Sequence, residues 1–181
     1  DGLVGSEMCI RDRDNTPRSN DGDYDSIAGS ALSKNILTVG AIEDLPWGYQ
    51  NPEDILMSSF SSWGPTDDGR IKPDLVADGV ALYSTDNISN YSYTIASGTS
   101  SSSPSAAGSL LLLQEYYRNL NNDFMKASTL KALAIHTTKE AGNSPGPDYK
   151  YGWGLLDTKA AAELINYNQE SSNTVSYTHL R

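Results

Sequence analysis

One stretch constrains this 181-residue chain more than any other. Gly98-Thr99-Ser100-Ser101-Ser102-Ser103-Pro104 runs directly into Ser105-Ala106-Ala107-Gly108-Ser109, followed by four leucines, Leu110 to Leu113. A small polar start with a proline in the first turns, then an apolar block, predicts a helix from Ser100 to about Tyr117. Its middle is apolar nearly all round, so the helix is expected to be buried. The result is a serine at the N-terminus of a buried helix, where free backbone N–H groups and the helix dipole favour negative charge. Acyl transfer has to stabilise such charge, first on an attacking alkoxide and then on an oxyanion. Gly98 lets the backbone approach a substrate closely. A flexible Ser-rich linker is the competing reading of the serine run. The strand-like pattern before it and the apolar helix after it argue against that.

The rest of the chain supplies partners for this helix. Ile36 to Ile42 is a short run rich in β-branched residues and predicts a buried strand. Ile55 to Ser61 is expected to form a second strand. Trp63-Gly64-Pro65 and Asp67-Asp68-Gly69 mark turns. Leu75 to Ala77, Ala81 to Ser84 and Tyr91 to Ala96 predict further short strands. Ser128 is a candidate cap for a helix reaching about Lys139, and Thr158 for a last helix through about Ile165. Strands alternating with helices indicate an α/β fold. No internal repeat is present.

Composition narrows the function. Hydrophobic residues make up 38% of the chain and charged residues 20%, enough apolar material for a packed core. The formal net charge of -10 argues against nucleic acid and against anionic membrane surfaces as partners. The longest apolar run, Leu110 to Leu113, is far shorter than a membrane span.

The two ends differ in character from the middle. Residues 1–13 (DGLVGSEMCIRDR) and 175–181 (VSYTHLR) resemble translated sequencing-adapter sequence, and they are set aside from the fold reasoning. Cys9, the only cysteine, then carries no information. The expected organisation is one domain over residues 14–167, with a polar tail at 168–174.

Beyond the serine motif, an ordered series of segments carries a resemblance: Asn35 to Ala41 (NILTVGA), Ser58 to Pro65 (SSFSSWGP), Lys72 to Gly79 (KPDLVADG) and Tyr151 to Asp157 (YGWGLLD). In this order and spacing the chain resembles the C-terminal part of the catalytic domain of subtilisin-like serine proteases. The family's nucleophile motif reads Gly-Thr-Ser-x-Ser/Ala-x-Pro. Gly98 and Pro104 fix the register, so Ser100 matches the nucleophile. Ser101 stands where Met is usual, Ser105 where His is frequent, and Asp78 where Pro is common. The resemblance implies a largely parallel α/β sheet flanked by helices, of which only the C-terminal portion is present. It also implies endopeptidase chemistry on polypeptide substrates, a secreted setting and no cofactor for the chemistry. A structural Ca²⁺ is possible in the parent protein.

Other parts of the family machinery find no match. The family's Asp and His precede its Ser. Here His136 and His179 both follow Ser100, and His136 is read as a packed or solvent-edge helix residue. The oxyanion Asn of an upstream Gly-Asn motif is expected near residues 10–13, which read Ile-Arg-Asp-Arg. The acidic loop Asp21, Asp23, Asp25 lacks the Gly and Glu of an EF-hand calcium loop, and no metal site is assigned. The chain alone is therefore expected to be inactive, with exposed apolar edges. Two alternatives stay open. One is a non-catalytic binding module with the same fold. The other is an esterase with His136 as base, although the Gly-x-Ser-x-Gly pattern of that class fails at Ser102.

Overall fold

Two of the predicted strands join into the centre of the molecule. The structure is a computed structural model that describes residues 26, 27 and 29–170. Strand β1 (Val39–Ile42) pairs in parallel with β2 (Leu75–Asp78), Val39 opposite Leu75 and Ile42 opposite Asp78. Seven of these eight positions are buried, as expected of a parallel pair covered on both faces. Leu155 extends the sheet by a parallel bridge to Val76.

The two faces have different covers. Leu37, Val39, Leu75 and Ala77 share one core with three helices, α1 (Thr99–Asn121), α2 (Ala127–His136) and α3 (Thr158–Glu170). Ala106, Leu110 and Leu113 of α1 are the central contributors to it. Ile42 and Val76 face the other way, into a smaller cluster with Ile55, Ala141 and Tyr151. The Tyr151 hydroxyl donates to the Ile55 carbonyl oxygen at 3.0 Å, so this second core is sealed by loops and a buried hydrogen bond. A second pair, β3 (Leu82–Thr85) and β4 (Tyr93–Ala96), forms an antiparallel hairpin between β2 and α1.

Several expectations are corrected. Helix α1 is not buried all round: Leu111 is 70% and Leu112 63% exposed. Its buried residues, Thr99, Ser102, Ser103, Ala106, Leu110 and Leu113, recur every three or four positions. The sheet, α2 and α3 thus bury a single face of it, and four successive leucines cannot all point that way. Ile55 to Ser61 is not a strand. Met57 makes one antiparallel bridge to Ile42, after which the Ser61 N–H turns back to the Ser58 carbonyl. The Ser61 hydroxyl accepts the Ala41 N–H at 3.0 Å, so a side chain takes the place a ladder bond would fill. Helix α2 begins at Ala127 rather than after a Ser128 cap, and it ends at His136. Helix α3 is capped by Asp157, whose carboxylate accepts the Ala160 N–H at 3.0 Å, rather than by Thr158. It runs on to Glu170, past the helix end expected at about Ile165. The described strands comprise one parallel and one antiparallel pair. The acidic loop Asp21, Asp23, Asp25, both end segments, Cys9, His179 and positions 10–13 lie outside the described residues.

Candidate active site

Strand β4 leads through Ser97 and Gly98 straight into α1, and the start of that helix is where the serines separate. Ser100 is exposed, Ser101 is half-buried, and Ser102 and Ser103 are fully buried. Their different surroundings follow from the helical period, which turns Ser102 and Ser103 toward the core shared with Ala106. The Ser102 hydroxyl is occupied, donating to the Thr99 carbonyl oxygen at 3.0 Å. Ser100 is thus the member of the run whose hydroxyl stands at the surface of the helix tip.

The tip is held from below by β2. Gly79, the first residue after that strand, accepts the Gly98 N–H on its carbonyl at 2.8 Å and donates its own N–H to Ile42 at 3.2 Å. The Gly98 carbonyl in turn accepts the N–H groups of Ser101 and Ser102 at 2.9 and 3.2 Å. This fastening works only with glycine at both positions. A Cβ on Gly79 would stand 2.6 Å from the Ala41 Cβ and 3.0 Å from the Gly98 carbonyl oxygen. Gly98 has φ 155°, a conformation disfavoured for L side chains, and a Cβ there would stand 2.9 Å from the Ser100 Oγ. The role of Gly79 was missed in the sequence. Its signal was the Gly at the end of the KPDLVADG segment, but the partner it serves lies nineteen positions away.

Electrostatics at the tip favour an anion. The Ser100 N–H belongs to the first helical turn, which has no intrahelical acceptors, and no acidic residue lies in that turn. Pro104 lacks an N–H and removes the donor that the Ser100 carbonyl would otherwise meet. Beside the Gly79 fastening, Asp78 has its carboxyl pushed above the usual range, first by burial and further by the nearby charge of Asp44. The Val80 N–H, donated to it at 3.1 Å, opposes the shift. The adjoining turn is stabilised by Ser97, whose hydroxyl accepts the N–H of Ala81 at 2.9 Å, Ala81 lying at φ 57°.

No base comes to Ser100 from the described residues. Their one histidine, His136, is exposed at the last residue of α2 and makes no side-chain hydrogen bond among them. No group of three or more His, Cys, Asp or Glu suited to a metal ion occurs among the described residues. No described helix is long and apolar enough to cross a membrane.

The serine-bearing helix tip is thus fastened through Gly79 to the parallel β pair, and sequence comparison assigns the chain that carries it. Residues 13–154 match the subtilase family. The chain belongs to the subtilase family. It is 37% identical over 134 residues to a C5a peptidase of Streptococcus pyogenes, a match covering 68% of this chain and 11% of that protein. It is 31% identical over 188 residues to a PII-type proteinase of Lactococcus lactis subsp. cremoris, covering 83% of this chain and 10% of the relative. The chain thus spans about a tenth of the length of these curated relatives. Among solved structures it is similar to the CspB protease of Clostridium perfringens, with TM-score 0.65 and 28% identity over 79% of this chain and 29% of that one. The patellamide maturation protease PatA shares the fold, with TM-score 0.61 and 19% identity over 80% of this chain and 48% of the other. This subtilase segment thus has the subtilisin-like α/β fold, in the portion that carries α1.

Proposed function

We propose that this subtilase segment is the nucleophile-bearing part of a serine endopeptidase and that Ser100 is the nucleophile. The observation that carries this reading is the exposed Ser100 at the fastened tip of α1. In the reaction the Ser100 Oγ attacks the carbonyl carbon of a peptide bond while its proton passes to a base. The carbonyl oxygen becomes an oxyanion, and the Ser100 backbone N–H donates to it. Collapse of that intermediate expels the amine and leaves an acyl-enzyme on Ser100, which water then hydrolyses. In the family resemblance the base and the carboxylate that orients it both precede the serine, and this chain has no histidine before Ser100, so the 181-residue chain by itself is expected to be inert or nearly so. The substrates are polypeptides, and the setting is extracellular, both carried over from the family resemblance. The acidic composition accords with that setting.

A fluorophosphonate probe with peptide mapping tests this. The expected result is a label on Ser100 when the segment is joined to an upstream half bearing an Asp and a His, near-background labelling of the chain alone, and no label after Ser100→Ala. A longer polypeptide that never labels at Ser100 would move the reading to a binding module. Labelling of the chain alone that vanishes with His136→Ala would move it to an esterase.

A further inference from the structure

The end of β2 remote from Ser100 opens on a cavity of about 470 Å³, whose walls include Lys34, Arg70, Ile71, Lys72, Asp74 and Trp153. Asp74 precedes β2 and Gly79 follows it, so the cavity lies about 16 Å along the strand from the Ser100 fastening. Its charge runs against that of the chain: three cations meet one carboxylate in a molecule of net charge -10. A fourth cation stands behind the wall. Lys72 and Lys131 both donate their Nζ to the Ile36 carbonyl, at 3.2 and 2.9 Å. The Asp74 carboxylate is already engaged, by the Lys72 Nζ at 2.6 Å and the Thr38 N–H at 2.6 Å. Lys34, together with an Arg70 whose charge is shared with Asp68, is left to supply the cavity's positive charge. Arg70 donates its Nε to both Asp68 carboxylate oxygens, at 2.8 and 2.9 Å, while its Nη1 is shielded from water with no acceptor among the described residues. A guanidinium donor in that state leaves one hydrogen bond unmade, although the charge of Arg70 is shared with Asp68. The crowding registers on Lys72, whose ammonium is pushed below its usual range by burial first and then by the charges of Lys131 and Arg70, against the pull of Asp74.

We infer that this cavity binds a carboxylate of an acidic polypeptide, held by Arg70 and Lys34 with its aliphatic stem against Ile71 and Trp153. Trp153 is 47% exposed and offers a flat apolar wall. Arg70, with its Nε already on Asp68, meets the carboxylate through its remaining N–H groups, and a single negative charge is tolerated beside Asp74 better than a dianion. The site is an anchoring point away from the reaction, and it does not depend on the role of Ser100.

The test is a titration of the full 181-residue chain with acetyl-triglutamate, following the indole N–H resonance of Trp153 assigned by Trp153→Phe. Saturable binding that weakens with added salt and falls roughly tenfold or more in Arg70→Gln is the expected result. Because Arg70 also holds Asp68, the exposed Lys34→Gln serves as a second variant, with a smaller weakening expected and the melting temperature unchanged. No saturable shift, equal affinity in both variants, or inorganic phosphate binding as tightly as the peptide would each overturn the inference.

Discussion

The two strand pairs of this molecule have the same length, four residues each, and opposite physics. In β1–β2 nearly every side chain is buried. In β3–β4 Leu82 and Ala96, at one end, are half-buried and the other six residues are exposed. The first pair is held by what lies on its faces. The second is held by its own ladder, by Ser92 and Asp86 closing the turn, and by the stacking of Tyr83 on Tyr93, ring centroids 5.2 Å apart. With four paired residues in each, the two differ in side-chain burial rather than in the extent of backbone pairing. The Ser100 end of α1 is attached to both, to β2 through Gly79 and to β4 through Ser97, so the candidate nucleophile sits where a rigid support meets a yielding one.

That contrast can be broken most sharply at Leu75, fully buried against α1. Leu75→Ala is expected to cost about 2–5 kcal/mol in chemical denaturation, through lost transfer free energy and the cavity left behind. Gly79→Ala comes next, at about 1–3 kcal/mol, because its new Cβ collides with Ala41 and the Gly98 carbonyl. It should also slow fluorophosphonate labelling at Ser100 when the segment is joined to an upstream half bearing an Asp and a His, whereas an unaltered labelling rate would show that the tip is positioned some other way. Tyr83→Ala and Tyr93→Ala in the hairpin should each cost no more than about 1 kcal/mol, and their double-mutant cycle should return a coupling of a few tenths. A hairpin variant costing as much as Leu75→Ala would undo the comparison.

The smallest expected effect sharpens it by pH. The folded state raises the carboxyl of Asp78 above its ordinary value of 3.8, so the fold favours the protonated form. The stability linked to this group is present in full at low pH and is lost as pH rises through the raised titration. Asp78→Asn should therefore leave stability at acid pH unchanged and improve it modestly toward neutrality. Asp68 works with the opposite sign. The hydrogen bond from Arg70, with a second from Thr66, holds its carboxyl at about 2, so its contribution is lost as pH falls from the ordinary carboxylate range toward that value.

Much of this was legible in sequence because it rests on local rules. The Ile36 to Ile42 run, the 75–77 strand and the serine-led helix each announce themselves by composition and period, and the register from Gly98 to Pro104 singles out Ser100 among four serines. What was not legible depends on partners distant along the chain. Four leucines in a row state that α1 is apolar, but only the positions of α2, α3 and the sheet decide that Leu111 and Leu112 face outward. The pattern over Ile55 to Ser61 reads as a strand because it does not reveal that the Ser61 hydroxyl will take the Ala41 N–H. The partner of Gly79 and the gathering of Lys34, Arg70 and Trp153 are likewise tertiary facts, invisible to any window of neighbouring residues.

The connection between β1 and β2 has a consequence for the order of events as the chain folds. Parallel strands are usually joined through a helix, but here the link between Ile42 and Leu75 is turns and one short 3₁₀ segment, Pro52–Asp54. Val39 meets Leu75 thirty-six positions on, whereas Thr85 meets Tyr93 after eight. Closing the longer loop costs about 1.3 kcal/mol more chain entropy, and no nascent helix offsets it along the way. The exposed hairpin and α1 can therefore each form first from local contacts, leaving the most buried part of the molecule to arrive last and lock Ser100 into its final position.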